Sequence, residues 1–126
     1  MYSTNIFSAL NVAAVTGLLD EYSAGVPALF ADTQIPEDCT ALKTINFYHV
    51  GMIDLSLNYV QGTYSVNCRA PTLAEADTIA AAVVAAVNRV SFTDYFLTCQ
   101  IGAPITPADD TDVYNVPIEI TLKRGF

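Results

Sequence analysis

The chain has no tryptophan, one histidine, and five lysines and arginines among 126 residues. Those five cations face 13 carboxylates, for a formal charge of -8. A surface that reads nucleic acid must neutralise phosphates, and so few cations cannot build one. The lone imidazole, His49, has no nucleophile elbow or orienting partner near it in sequence, which leaves little for covalent or acid–base catalysis. As one member of an alternating strand it reads as a packed or rim histidine. Six glycines lie scattered, without the spacing that gathers backbone amides around a phosphate. The longest apolar run, Ile79 to Val87, is about half of what a bilayer span requires. The first ten residues have no Lys or Arg to begin a signal segment. Cys39, Cys68 and Cys99 form an odd set with no close pair, so neither a zinc knuckle nor a redox dithiol is indicated. Cys68 and Cys99 fall on the apolar side of alternating segments and read as buried, reduced thiols of a cytoplasmic chain.

Charged residues make up 14% of the chain, against about 25% in an average soluble domain. What replaces them is apolar: hydrophobic types reach 52%, with a mean hydropathy of +0.38. That much apolar material offsets chain entropy and excludes disorder. The length suits one domain over 1–126, burying about two thirds of its unfolded surface. A chain so poor in charge and without a membrane span has surface to cover, and an oligomer is the expectation.

Along the chain, Phe7, Leu10, Ala14 and Leu18 recur at helical spacing, predicting a helix from Asn5 to about Tyr22, capped by Thr4 or Asn5. Gly25 and Pro27 end it. Val26 to Phe30 reads as a short strand and Ala31 to Ala41 as a loop. Thr44 to Val50 reads as a strand with Ile45, Phe47 and His49 on one face and Asn46, Tyr48 and Val50 on the other. Ile53 to Ala70 alternates throughout, with Gln61-Gly62 at its centre. A two-residue turn there would set Tyr59 opposite Tyr64, Leu57 opposite Val66, Leu55 opposite Cys68 and Ile53 opposite Ala70, with Asp54 facing Arg69. Thr72 and Glu75 have capping-box spacing before a helix from about Leu73 to Arg89. Its core stripe is Leu73, Ala76, Ile79, Ala80, Val83, Val87 and Val90. On the far side Ala81, Ala82, Ala85 and Ala86 reflect either helix propensity or a close approach by another chain. Tyr95 to Ile101 is a further strand. The last strand sets Tyr114, Val116, Ile118, Ile120 and Leu122 on one face, and Pro117 argues for an edge position or a bulge. Helix, strands, helix, strands give an α+β layer, a mainly antiparallel sheet with two main helices on one face.

Between the last two strands, Gly102 to Val113 forms a long acidic loop carrying Asp109, Asp110 and Asp112. Three carboxylates in one loop are too few for a tight divalent-cation site without further ligands, and a solvated loop is the plain reading. No metal or cofactor is expected, and no catalytic residue. Around a channel, the same acids would repel phosphate and let DNA pass without sticking.

The stretch Val66 to Arg89, VNCRAPTLAEADTIAAAVVAAVNR, resembles the tail terminator proteins of long-tailed bacteriophages. The N-terminal helix, the Val26-Pro27 segment, the tyrosine-bearing hairpin and the closing strand VYNVPIEITLKRG, Val113 to Gly125, extend that resemblance over nearly the whole chain. It implies a tail-tube-like fold and a virion protein without catalysis. Such a subunit forms a six-membered ring at the head-proximal end of the tail tube, ends polymerisation and offers the surface for head attachment. The implied partners are further copies of the chain, the tail tube protein and a head–tail connector, assembled in the host cytoplasm, with DNA passing through unbound. A neck or connector protein of the same virion shares this composition, and a small ligand-binding domain is the remaining alternative.

Strands with apolar groups on both faces need a second cover. Phe96 points away from Leu97 and Cys99, as Tyr48 and Val50 do from Ile45 and Phe47. Phe96, Tyr48 and Val50 are therefore expected at a subunit interface, with the loop around Asp110 toward a channel or docking surface. Closure of that face by the Ala31 to Ala41 loop or by the C-terminal tail is the alternative.

Overall fold

The computed structural model describes residues 3–32, 34–55, 59–91, 96–105 and 113–125. Two short helices, α1 (Ser3–Leu10) and α2 (Ala13–Thr16), open the chain. A small antiparallel pair follows, β1 (Glu21–Ser23) and β2 (Val26–Pro27), turning at Gly25 with φ 77°. Then come β3 (Leu29–Phe30), the long strands β4 (Thr44–Leu55) and β5 (Tyr59–Ala70), and helix α3 (Leu73–Val87). The chain ends with β6 (Val90–Ser91), β7 (Phe96–Ile101) and β8 (Tyr114–Gly125). Six of these strands form one sheet in the order β3-β4-β5-β8-β7-β6, antiparallel except for the β3–β4 pair. The α+β class holds, with the helices on one face.

The expected N-terminal helix is broken. Val12 is extended (φ -122°, ψ 151°), and α2 restarts after it. The bend turns Ile6, Ala9, Leu10 and Val15 into the core beside α3, while Ala14 is exposed. Tyr22, expected at the helix end, belongs to β1. Asp20 pins this N-terminal unit down. Its carboxylate accepts from the amides of Leu42 (3.1 Å) and Lys43 (3.0 Å), and its own N–H donates to the Lys43 carbonyl (3.0 Å).

The hairpin exists, but its turn does not lie at Gln61-Gly62. Both residues are inside β5, and the chain reverses between Leu55 and Tyr59. Thr44–Val50 and the segment after it are one strand, with His49 opposite Tyr64, Phe47 opposite Val66 and Ile45 opposite Cys68. Tyr59 pairs with Gly125, Asp54 with Gln61, and Arg69 with Thr44 and Asn115, so neither Tyr59–Tyr64 nor Asp54–Arg69 faces the other. Leu57 lies outside the described residues. This register sets three rows across the sheet: Ile45–Cys68–Val116, Phe47–Val66–Ile118 and His49–Tyr64–Ile120. A bulge between Val50 and Asp54 interrupts the pairing.

The core lies between those rows and the helices. Tyr64, Phe47, Ile6, Leu10, Ile79 and Leu122 are among its largest fully buried side chains. Burying each is worth about 1.5–3 kcal/mol. In α3, Ala76, Ile79, Ala80, Val83 and Val87 are buried as expected, whereas Leu73 is 40% exposed and Val90 lies beyond the helix, half-buried in β6. Thr72 Oγ1 accepts from the Glu75 amide (3.2 Å), and its hydroxyl donates to Glu75 Oε1 (2.9 Å), so the Glu75 carboxylate takes the hydroxyl proton rather than the Thr72 amide. The helix stops at Val87, two residues before the expected end. Asn88 donates to the Val84 carbonyl (2.8 Å), and Arg89 takes a left-handed φ of 61°.

Pro117 is not on an edge strand: β8 lies between β5 and β7. Its carbonyl accepts from Gly102 N–H (2.8 Å), on the side where β7 ends at Ile101. The missing proline donor therefore falls just past the end of the neighbouring ladder, where it removes no regular pair. Gly102 makes the close approach feasible, since a Cβ there would sit 3.0 Å from Pro117 Cγ.

Candidate functional site

Alternation divides the sheet into a helix-facing side and an outer side. Tyr48 and Val50 of β4, Thr63 and Ser65 of β5, Glu119 and Lys123 of β8, and Phe96 and Gln100 of β7 all belong to the outer side. The three residues expected at an interface thus share one face, opposite the helices. They do not form one patch. Tyr48 is in register with Ser65, Glu119 and Gln100, while Phe96 is opposite Lys123 on the far side of the sheet. Three strand spacings separate β4 from β7, about 14 Å. Tyr48 and Phe96 are half-buried, and Val50 is 41% exposed.

Along the Tyr48 row, away from Phe96, the outer face is hollowed into a cleft of about 400 Å³, lined by Tyr48, Val50, Ser65, Gln100, Pro117 and Glu119 among others. Ile101, 54% exposed, borders it. Among the described residues, its lining is one carboxylate and neutral polar groups on an apolar floor, which can hold a protein surface. They do not supply a base–nucleophile pair. At the neighbouring corner of this face Thr44, Asn46 and Asn67 are buried. Asn46 Nδ2 donates to the Asp32 carbonyl (3.0 Å), so the segment after β3 covers that corner. Asn115 Nδ2 donates to Asn67 Oδ1 (3.0 Å) in the same polar layer.

The remaining candidates are elsewhere. His49 is on the helix-facing side, its ring edge-on to Tyr64 with centroids 5.4 Å apart. Cys68 is buried and its thiol is pushed up to about 12 by loss of solvent. The half-buried Cys99 is raised for the same reason. Asp109, Asp110 and Asp112 lie outside the described residues. Among the described residues, no group of three or more His, Cys, Asp or Glu is placed to hold a metal ion. Sequence reading missed Asp20, whose backbone contacts no local motif announces. It also missed Tyr22, whose hydroxyl donates to Asp38 Oδ1 (2.7 Å), an interaction that raises its pKa.

The class these features define is an α+β domain with a six-stranded, mainly antiparallel sheet, helices on one face and a cleft on the other. No protein-family model and no curated protein matches the chain. Among solved structures, a chain of the "Virion of native gene transfer agent (GTA) particle" is similar in fold, with a TM-score of 0.68 and 14% identity. The match covers 98% of this chain and 94% of that one.

Proposed function

We propose that the chain is a structural protein of a phage-like virion and acts as a tail-terminator-like subunit. In this reading copies form a six-membered ring on the head-proximal end of the tail tube. The ring ends tube polymerisation and presents the surface to which the head attaches. The observation that carries it is the shared fold with a chain of the gene transfer agent virion over nearly both lengths. The acidic, charge-poor composition supports a subunit with covered faces and a DNA conduit that phosphate does not stick to. Phe96, Tyr48 and Val50 contribute to the contact between copies, and the loop with Asp109, Asp110 and Asp112 faces the channel or a docking partner. Its partners are the tube protein and a head–tail connector. The role requires no catalysis, cofactor or specific DNA contact.

A neck subunit of the same particle would fit the same fold likeness, and one experiment separates the two. Electron microscopy of lysates lacking the protein should show tubes of uncontrolled length without heads. Normal-length tails would favour the connector. For the interface, Phe96→Asp should leave the subunit folded and reduce its assembled mass in size-exclusion chromatography with light scattering. An unchanged oligomer, or an unfolded subunit, would return Phe96 to an ordinary packing role.

A further inference from the structure

The two edges of the six-stranded sheet are finished differently. At one, β6 pairs with Phe96 and Leu97, and Asn88 Oδ1 accepts from the Cys99 amide (3.2 Å). At the other, β3 pairs with β4 only at Ile45 and Asn46. Ile45 N–H donates toward β3, to the Ala28 carbonyl (2.9 Å). Backbone groups alternate in direction along a strand, so the N–H and C=O of His49 turn to this same side. Among the described residues no strand lies beside β4 beyond Asn46. Natural sheets guard such an edge with Lys, Pro, other charges or a bulge; the bulge of β4 comes only after Val50, and Phe47 to Val50 holds no Lys, Pro or carboxylate.

We propose that this β4 edge accepts an extended, basic segment of another protein, added as a further strand. Charge selects the occupant. The segment that delivers β3 to the edge, 20–43, holds Asp20, Glu21, Asp32, Glu37 and Asp38 against Lys43 alone. Lys43 Nζ is itself 3.5 Å from Glu75 Oε2. Among the described residues, Glu119 is the one carboxylate of the cleft beside Tyr48 and Val50. Charge argues against a second copy as the source of the strand. Its five cations are Lys43, Arg69, Arg89, Lys123 and Arg124. Arg69, Lys123 and Arg124 sit on the interior strands β5 and β8, and Arg89 closes the turn after α3. Lys43 precedes β4 itself, and a copy brings a further charge of -8. Backbone pairing would provide affinity, and alternate side chains of the added strand would lie beside Tyr48 and Val50. The inference does not rest on the ring: an added strand extends the sheet in its plane, whereas a neighbour over Phe96 stacks on its face.

The probe is a synthetic strand of about eight residues, alternating Val and Thr with Lys at its ends, compared with a Glu-ended counterpart. Fluorescence anisotropy should show the Lys peptide binding, more weakly as salt rises, and the Glu peptide at least about tenfold weaker. His49→Pro removes the outward donor without touching the β5 ladder, and should weaken the Lys peptide about tenfold. His49→Ala, the matched control that keeps the N–H, should stay within about threefold of the parent chain. In the parent chain the His49 amide should gain hydrogen-exchange protection when the Lys peptide is added, a readout that stands even if His49→Pro does not fold. Equal binding of the two peptides, equal behaviour of the two His49 variants, or an unprotected His49 amide would overturn the proposal. So would an oligomer that His49→Pro dissociates while the Lys peptide fails to bind, since that assigns the edge to a second copy.

Discussion

Arg89 offers the sharpest test of how α3 hands the chain to the sheet. It is exposed, follows the extended C-cap Asn88, and holds a φ of 61°. A residue with a Cβ in this left-handed region carries about 1–2 kcal/mol of strain, which glycine escapes. Glycine also adds about 0.5–1 kcal/mol of unfolded-state entropy that folding must overcome. The comparison that isolates the backbone is Arg89→Gly against Arg89→Ala. Both remove the guanidinium and its favourable place at a helix C-terminus, so those contributions cancel. The difference between the two effects leaves Arg89→Gly more stable than Arg89→Ala by about 0.5–1 kcal/mol. In a domain of this size that is about 2–5 °C in Tm. Urea unfolding followed by circular dichroism should show a higher midpoint for the glycine variant at equal m-value. An alanine variant as stable as the glycine variant, or more so, would refute the left-handed cap and the helix end at Val87.

Burial of the Cys68 thiol favours its neutral form, so its stabilising contribution is complete below the ordinary thiol value near 9 and is lost as pH rises toward 12. The stability difference between the parent chain and Cys68→Ala should therefore be flat to pH 9 and then fall, by at most about 4 kcal/mol at pH 12; no change above pH 9 would refute it. Thiol labelling at pH 8 should reach the half-buried Cys39 and Cys99 in the folded chain, and the buried Cys68 only on unfolding. Gly102→Ala should cost about 1–2 kcal/mol in denaturant unfolding, because its Cβ would press on Pro117 Cγ at 3.0 Å. Asn88→Ala removes the acceptor of the Cys99 amide and should cost about 1 kcal/mol, with faster hydrogen exchange at that amide as the specific sign.

Local chemistry determined much of this protein without help. Thr72 and Glu75 start α3 where their spacing says, because an N-cap needs only residues within one turn. Gly25 takes the positive φ that a turn before Pro27 calls for. The side each strand residue faces was also legible. Tyr114 to Leu122 and Ile45 to His49 alternate as read, because side-chain direction has a period of two and the apolar set must face the helices. The common face of Tyr48, Val50 and Phe96 follows from that parity alone.

Register did not follow, for the same reason. Paired numbers in the expected hairpin sum to 123, and along Thr44–Val50 they sum to 113. A shift of ten is even, so along Thr44–Val50 and Thr63–Ala70 each residue keeps its face and alternation there cannot tell the two apart. The pairing with β8 is not visible in the hairpin's own sequence: it takes Tyr59 to Gly62 into β5, opposite Gly125 to Leu122, so the strand opposite Tyr64 to Cys68 is His49 to Ile45. Pro117 misled because a missing donor marks a local gap, and the place where β7 ends was not visible in the sequence. The break at Val12 likewise answers to α3, since a straight helix would not turn both Leu10 and Val15 onto the same partner. The cleft beside Glu119 and the open side of β4 belong to no single segment. They arise where strands distant in sequence end at different lengths, which only the assembled sheet specifies.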